Sequence, residues 1–234
     1  MIYNFFTSIL LLLSTVSAPT NTHIDPPVKT VAEVADKAAA STVEMIYHNL
    51  KTNSFSMPEL ESFSKAVEGF NILKQQGKIK KDILTLIDFS KSSNTKRLWI
   101  IDMKTKTILY NTLVAHGRNS GDEYATAFSN LNSSNKSSLG FYATGEIYNG
   151  KHGASLRLDG LENGVNSNAR SRAVVMHAAD YVSEKFIQLH KRLGRSQGCP
   201  ALPEKLNKEI INLIQGKSCL YIYHPSKKGS KIVA

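Results

Sequence analysis

The feature that most constrains the fold is a change of hydrophobic period near residue 80. Before it, apolar side chains recur every three or four residues, as on one face of an amphipathic helix, at Leu60, Phe63, Val67, Phe70 and Leu73. After it come short β-prone runs separated by polar turns, at 83–89, 97–102, 107–114, 141–144, 173–176 and 220–223. The sequence therefore predicts a mainly β domain with a helical N-terminal segment before it.

The helical segment is predicted to contain two helices. The first covers about 31–50. The second has a capping-box pattern, with Ser56 as N-cap, Pro58 in the first turn and Glu59 three residues after the serine, and Gly77 is the expected stop. Within the β part, apolar side chains with helical spacing predict one more helix over about 204–215.

The N-terminus resembles a secretory signal. An apolar run at 9–13 is too short to span a bilayer well, and small residues follow at 16–18. We therefore predict a signal peptide at 1–18, a proline-rich linker at 19–30, the helical segment at 31–80 and a β-rich domain at 81–234. The predicted location is the periplasm or cell envelope, with no stable membrane span after cleavage. An uncleaved anchor and a cytosolic protein are the alternatives.

Charge and cysteine content narrow the function classes. The chain has 29 Lys+Arg, 19 Asp+Glu and a formal net charge of +10. Basic proteins attract anionic envelope polymers, acidic lipids and nucleic acid. The positive residues are scattered and lack the interleaved aromatics of a single-strand binder, so no nucleic-acid partner is predicted. Two cysteines exclude a disulfide-dense scaffold.

Glycine and small polar residues concentrate in four loops, at 116–121, 137–140, 150–153 and 194–200. Each loop alone is explained as a turn between strands. Glycine also lets backbone amides approach a ligand, and these loops carry His, Arg, Ser and Cys side chains. The four loops together therefore predict a functional site.

Cys199 lies between Gly198 and Pro200 in the last of these loops. A nucleophilic cysteine needs partial exposure and a basic neighbour. His177, which follows the predicted strand 173–176, is the candidate base, and the Ala178 carbonyl is a candidate acceptor for its Nδ1. This combination indicates Cys–His acyl transfer, with the backbone amides of Gly198 and Cys199 as oxyanion donors.

Two other readings of these residues remain open. Cys199 can pair with Cys219 in an oxidising compartment, or Cys219 can be a buried free thiol. His152 and Asp159 have the spacing of zinc D-Ala-D-Ala peptidases, but such a site needs a Glu-x-His pair, which the chain lacks. No metal and no cofactor are predicted. His116 and His152 then remain as cleft residues or as hydrogen-bonded turn residues.

The segment from His177 through 194–201 (GRSQGCPA) resembles the signature of YkuD-type L,D-transpeptidases, and more narrowly the murein L,D-transpeptidase catalytic domain family. Further matches occur in order at 114–117, 128–130, 137–140, 150–153 and 156–161. The resemblance runs from about Leu84 to Pro203. It is specific because the motifs occur as an ordered set.

This resemblance implies a YkuD-like β-sandwich or barrel with a few helices. It implies Cys199 as nucleophile, His177 as base and the Ala178 carbonyl as the third member. The broader family usually has a second histidine where this chain has Gln197, and Pro200 follows the cysteine in place of an Arg- or Asn-like tail. Both departures put the choice of acyl acceptor in doubt but leave the two catalytic groups in place.

The implied substrate is a peptidoglycan stem peptide. Cys199 would attack the carbonyl of the L-centred residue at position three and expel D-alanine, and an amine would take the acyl group. Water as acceptor would give an L,D-carboxypeptidase, and carbapenems would acylate the same thiol. The predicted substrate-binding residues are Arg195, Ser196, Gln197, His116, His152 and Arg172, with Arg157 as another possible anchor.

Two rival classes remain at this stage. In NlpC/P60-type endopeptidases the cysteine precedes its histidine, whereas here His177 comes first. A cell-wall-binding protein that kept the fold and lost turnover is the non-enzymatic alternative, and the presence of both Cys199 and His177 argues against it. The sequence does not indicate an oligomeric state.

Overall fold

The computed structural model describes residues 42–227 and residue 232. The predicted signal peptide, the predicted linker and residues 31–41 of the first predicted helix lie outside the described residues, and they stay predictions, as does the domain boundary at 80. Residues 42–48 are helical and are called α1. Across the described chain, no helix combines the length and apolar character needed to cross a bilayer.

Three further helices and eight strands follow. The helices are α2 (Leu60–Gln75), α3 (Glu184–His190) and α4 (Glu204–Ile214). The strands are β1 (Ile83–Asp88), β2 (Leu98–Asp102), β3 (Thr107–Thr112), β4 (Gly140–Gly150), β5 (Gly153–Gly160), β6 (Val175–Ala178), β7 (Ala201–Leu202) and β8 (Cys219–Tyr223).

All eight strands form one sheet in the order β3-β2-β1-β8-β4-β5-β6-β7. Neighbours are antiparallel except for the parallel pairs β1/β8 and β6/β7. Just beyond β3, Ala115 forms an antiparallel bridge with Ala201 of β7, with N···O distances of 3.0 and 3.4 Å. This bridge brings the two edges of the sheet together, so the sheet is a nearly closed barrel. The predicted mainly β, barrel-like fold is confirmed.

Both faces of the central strands are buried, and each face has its own helix. Along β8, Leu220 belongs to a core cluster that includes Ile210 of α4. The next residue, Tyr221, belongs to a second cluster with Phe63 of α2, on the opposite face. Burial of a large apolar side chain contributes about 1.5–3 kcal/mol. The two helices therefore cover the middle of the sheet, while the short strands β6 and β7 form one end of it.

The predicted capping box of α2 is wrong. The helix begins at Leu60 with Glu59 as N-cap, and no side chain caps it. Ser56 donates instead to Asn111 Oδ1 at 2.9 Å, and its carbonyl accepts from Trp99 Nε1 at 2.8 Å. The predicted stop is confirmed, because Gly77 follows the helix in the left-handed region at φ +66°.

Several elements differ from the sequence prediction. β7 and α3 were not predicted, and β4, predicted over 141–144, extends over Gly140–Gly150. β5 was not predicted, although Leu156 and Leu158 are buried and alternate with more exposed neighbours. β6 covers Val175–Ala178, whereas the prediction was 173–176, because Ala173 adopts a left-handed φ of +54° and ends the preceding turn. The shift places His177 within the strand, not beyond its end.

Candidate active site

His177 and Cys199 are brought together by the last two strands of the sheet order, β6 and β7. In β6, His177 lies opposite Ser155 of β5 and Ala201 of β7. Cys199 precedes Ala201 by two residues, and because β6 and β7 run parallel, its sulfur reaches the start of β6. There the Val175 N–H donates to Cys199 Sγ at 3.4 Å. Both side chains line a cavity of about 520 Å³.

The imidazole of His177 has a defined tautomer. Its Nδ1 lies 2.8 Å from the Ala178 carbonyl oxygen. Since a carbonyl only accepts, Nδ1 carries the proton, and Nε2 of the neutral ring keeps a lone pair. Burial lowers the pKa of His177, the bond to Ala178 opposes this in part, and His152 lowers it further. The ring is therefore a neutral base at pH 7.

Cys199 is half-buried and is a thiol in the resting protein. Burial raises its pKa, against the opposing effects of the Val175 amide and the positive charge of Arg172. Its Sγ lies 3.8 Å from the Ala173 carbonyl oxygen, and within the described residues it makes no hydrogen bond to His177. Formation of the thiolate thus requires a base, and catalytic hydrogen bonds often tighten only when substrate binds.

The loop before Cys199 is held by hydroxyl groups. Ser137 Oγ donates to the Gly198 carbonyl at 3.0 Å, and Ser196 Oγ donates to the Cys199 carbonyl at 2.6 Å. Gly198 has φ +124°, and a Cβ there would lie 2.8 Å from the Lys136 carbonyl oxygen, so glycine is required. This packing fixes the backbone that presents the sulfur.

The predicted oxyanion amides differ in availability. The Gly198 N–H donates to Ser196 Oγ at 3.0 Å and is already engaged. The Cys199 N–H has no acceptor among the described residues. Of the two amides, that of Cys199 is the one left for a ligand.

Two predicted anchors, Arg172 and Arg195, line the cavity. Arg172 is tied to the 129–138 loop through the carbonyls of Ser129 and Lys136, at 2.8 and 2.7 Å, and through two serine hydroxyls. Arg195 pairs with Asp122 at 2.5 Å. Lys151 is the third cation of the lining, which contains no Asp or Glu. The cavity therefore suits an anionic ligand.

Three other predicted substrate-binding residues also line the cavity: His152, Ser196 and Gln197. The exposed ring of His152 stacks on that of His177, with centroids 4.4 Å apart and an interplanar angle of 21°. Gln197 is exposed. The hydroxyl of Ser196 is used within its own loop, as described above.

The prediction that His116 contacts substrate is corrected. The side chain is 1% exposed and does not line the cavity. Arg97 donates to its Nδ1 at 2.8 Å, so the proton is on Nε2, which lies 3.3 Å from the Gly121 carbonyl oxygen. Burial and the charge of Arg97 lower the pKa of His116 to about 4. Of the two readings left open, His116 is the hydrogen-bonded one and His152 is the cleft residue.

The structure also decides between the readings of the cysteines. Both thiols are free, and Cys219 is fully buried in β8, where burial raises its pKa. The predicted alternative of a Cys199–Cys219 disulfide is therefore not present. Among the described residues, no three His, Cys, Asp or Glu side chains cluster as a metal site would need. Asp159 pairs with Arg170.

Sequence reasoning missed several residues of the cavity: Ser133, Asn135, Tyr148, Lys151, Ser155 and Tyr181. Lys151 lies in the glycine-rich loop 150–153, which was singled out for its His152, so a signal existed for it. Tyr181 lies four residues after His177, outside every glycine loop, and no local pattern marks it.

Comparison with known protein families identifies one match. The model of the YkuD_2 family, described as the L,D-transpeptidase catalytic domain, matches residues 56–223. No curated protein sequence matches the chain significantly.

Solved structures with similar folds include an L,D-transpeptidase from Mycobacterium smegmatis, at 10% identity and a TM-score of 0.38, over 61% of this chain and 59% of that one. The L,D-transpeptidase LdtMt1 in complex with imipenem aligns at 9% identity and TM-score 0.38, over the same shares, 61% and 59%. The helical cell shape determining protein Pgp2 from Campylobacter jejuni aligns at 12% identity and TM-score 0.41, over 65% and 54%. The chain thus spans less than two thirds of the length of each.

Proposed function

The chain belongs to the L,D-transpeptidase catalytic domain family, and we propose that it is an active cysteine L,D-transpeptidase acting on peptidoglycan tetrapeptide stems. One observation carries the proposal above the others. Cys199 and His177 line the same cavity, and the Ala178 carbonyl holds the imidazole in the tautomer that leaves Nε2 free to accept a proton.

The first half-reaction follows from this arrangement. His177 Nε2 takes the thiol proton as Cys199 Sγ attacks the carbonyl carbon of the L-centred third residue. The carbonyl oxygen becomes an oxyanion in the tetrahedral intermediate. When the intermediate collapses, the C–N bond to D-alanine breaks, the His177 imidazolium gives its proton to the leaving amine, and a thioester remains on Cys199.

The second half-reaction releases the acyl group. An amine from another stem attacks the thioester, His177 takes its proton, and a 3→3 amide cross-link forms while the thiol is regenerated. Attack by water at the same carbon would give the carboxypeptidase product. Gln197 lies on the cavity wall where the broader family has a histidine, so it is placed to influence this choice of acceptor.

The electrostatics of the cavity favour a stem peptide as ligand. Its three cations, Lys151, Arg172 and Arg195, face no carboxylate within the lining. Stem peptides carry free carboxylates, which bind guanidinium and ammonium groups. Arg172 already donates to loop carbonyls and Arg195 already pairs with Asp122. Of the three cations, Lys151 is therefore the most available to a carboxylate of the ligand.

The proposed site of action is the cell envelope, to which the signal at residues 1–18 would direct the protein. Amino-terminal sequencing of exported protein tests this point, with cleavage after residue 18 as the expected result.

The decisive experiment incubates the mature protein with tetrapeptide-containing muropeptides and identifies the products by mass. Cross-linked dimers with loss of D-alanine are expected. Cys199→Ala abolishes them, and the matched control Cys219→Ala retains them. Tripeptide monomers alone would make the protein a carboxypeptidase. Unchanged muropeptides with an intact thiol would support a cell-wall-binding protein without turnover.

A further inference from the structure

The cavity contains two tyrosines, Tyr148 and Tyr181, whose hydroxyl groups make no hydrogen bond within the described residues. Tyr148 lies on the β4–β5 hairpin, and the guanidinium of Arg157 lies 4.3 Å from its ring centroid. Tyr181 follows β6, on the segment that continues from His177. A phenol that lines a cavity without a protein partner is an available donor for a ligand.

The ring of Tyr181 has a fixed position. Its carbonyl accepts from the Gly194 N–H at 2.9 Å. A Cβ on Gly194 would lie 2.3 Å from Tyr181 Cβ, so the absence of a side chain at 194 lets the tyrosine pack against the chain that leads to Cys199. The ring is thus held between the two segments that carry the base and the nucleophile.

Tyr181 and Cys199 line the same cavity. Burial raises the pKa of Tyr181 to about 12, and negative charge on Cys199 and Asp180 adds to this effect. The phenol therefore stays protonated at neutral pH and remains a donor.

The tetrahedral intermediate needs more than one donor for its oxyanion, yet the Gly198 amide is engaged by Ser196. Of the two amides beside the sulfur, only that of Cys199 has no acceptor among the described residues. We propose that the Tyr181 hydroxyl is a further catalytic group, which donates a hydrogen bond to the developing oxyanion together with the Cys199 N–H. The hydroxyl keeps its proton throughout. The carbonyl oxygen gains negative charge as the C–S bond forms; on collapse the C=O bond re-forms, the C–N bond breaks, and the His177 imidazolium gives its proton to the leaving nitrogen.

This inference rests on the proposed function, and its test separates the two. Wild-type mature protein is first treated with imipenem, and the rate of acylation at Cys199 is followed by intact mass. No adduct on a protein whose thiol reacts with iodoacetamide would contradict the proposed function itself. Once the adduct forms in wild type, the variants test Tyr181 alone.

Tyr181→Phe removes only the hydroxyl. Loss of one oxyanion donor typically slows a reaction by about 10²–10³-fold, so acylation should slow by about that factor. Alkylation of Cys199 by iodoacetamide forms no oxyanion, and its rate and pH profile should stay within about two-fold of wild type. Tyr110→Phe removes a phenol on β3 outside the cavity and should acylate at the wild-type rate.

Three results would overturn the inference. Acylation of Tyr181→Phe within about three-fold of wild type would show that the hydroxyl is not used. Equal slowing of acylation and alkylation would show that Tyr181 acts on the thiolate and not on the oxyanion. If acylation is much slower in Tyr148→Phe and unchanged in Tyr181→Phe, the oxyanion donor is Tyr148 on the β4–β5 hairpin.

Discussion

Two buried histidines of this chain illustrate how similar surroundings lead to different chemistry. His177 is 4% exposed and His116 is 1% exposed. The Nδ1–H of His177 donates to the Ala178 carbonyl, and its Nε2 makes no hydrogen bond within the described residues. Both nitrogens of His116 are used, one by Arg97 and one by Gly121. Burial alone therefore does not mark a functional histidine, whereas an unused nitrogen that borders a cavity does.

The two cysteines repeat this contrast. Cys219 lies in β8, in the middle of the sheet and against α2, and is fully buried. Cys199 lies just before β7, a two-residue strand at the edge of the sheet, and it lines the cavity. In the middle of the sheet the backbone groups form ladder hydrogen bonds, and the Cys219 thiol is packed inside a core cluster. At the end of the sheet formed by β6 and β7, the Cys199 sulfur, the His177 Nε2 and the Tyr181 hydroxyl are available to a ligand in the cavity.

Thiol labelling gives the largest expected difference. In native protein one thiol should react with iodoacetamide, and Cys219 should react more than about 10³-fold more slowly, because its exposure requires unfolding of the central sheet. Labelled positions are read by peptide mass. Cys199→Ser should remove the fast reaction. Comparable alkylation rates for the two thiols would contradict the prediction that Cys219 in the middle of the sheet is protected while Cys199 beside β7 is reactive.

Substitution of the histidines should separate activity from stability. His177→Ala should slow acylation by imipenem by about 10²–10⁴-fold, the usual contribution of a general base, with little change in melting temperature. His116→Ala leaves Arg97 short of an acceptor and opens a buried cavity, so the free energy of unfolding should fall by about 2–4 kcal/mol. The folded fraction of that variant should still be acylated.

The matched pair is read by urea unfolding and by acylation rates normalised to folded protein. If His116→Ala is stable but inactive, His116 acts in the chemistry after all. If His177→Ala is active but unstable, the roles of the two histidines are reversed.

Acidification should lower the free energy of unfolding mainly through His116. Its folded pKa of about 4 lies below the ordinary 6.5, so the unfolded chain binds the proton first as pH falls. The stability that the neutral ring provides is complete above about pH 6.5 and is lost as pH drops to about 4, which amounts to about 3 kcal/mol. His177, whose pKa is also lowered, adds in the same direction.

Urea unfolding between pH 7.5 and 4.5 measures this slope. His116→Gln, which cannot titrate, should flatten the curve. A wild-type curve that is flat between pH 6.5 and 4.5 would contradict the assignment of His116 as a neutral buried acceptor.

The local patterns in the sequence predicted most of the helices and strands, though not β5, β7 or α3, and they singled out His177 and Cys199, which line one cavity. Helical spacing predicted α2, and β-prone runs predicted β1 and β8, because these depend on which side chains face the core. The capping box failed because Ser56 bonds to Asn111, which is 55 residues away in the chain. The burial of His116 likewise depends on Arg97, and the engagement of the Gly198 amide depends on how its loop folds. Long-range polar contacts of this kind leave no periodic signal.

The smallest expected difference compares two glycines with positive φ. Gly164 has φ +72° with open space around it, and Gly164→Ala should cost about 1 kcal/mol of unfolding free energy. Gly198→Ala meets the Lys136 carbonyl as well as an unfavourable φ of +124°, so about 2–3 kcal/mol is expected. Since backbone atoms must shift to admit the methyl group, Cys199 moves with them, and acylation should slow about ten-fold or more in Gly198→Ala only. Equal costs for the two variants, with acylation intact in both, would mean that the loop around Cys199 yields freely and does not hold the sulfur open to the cavity.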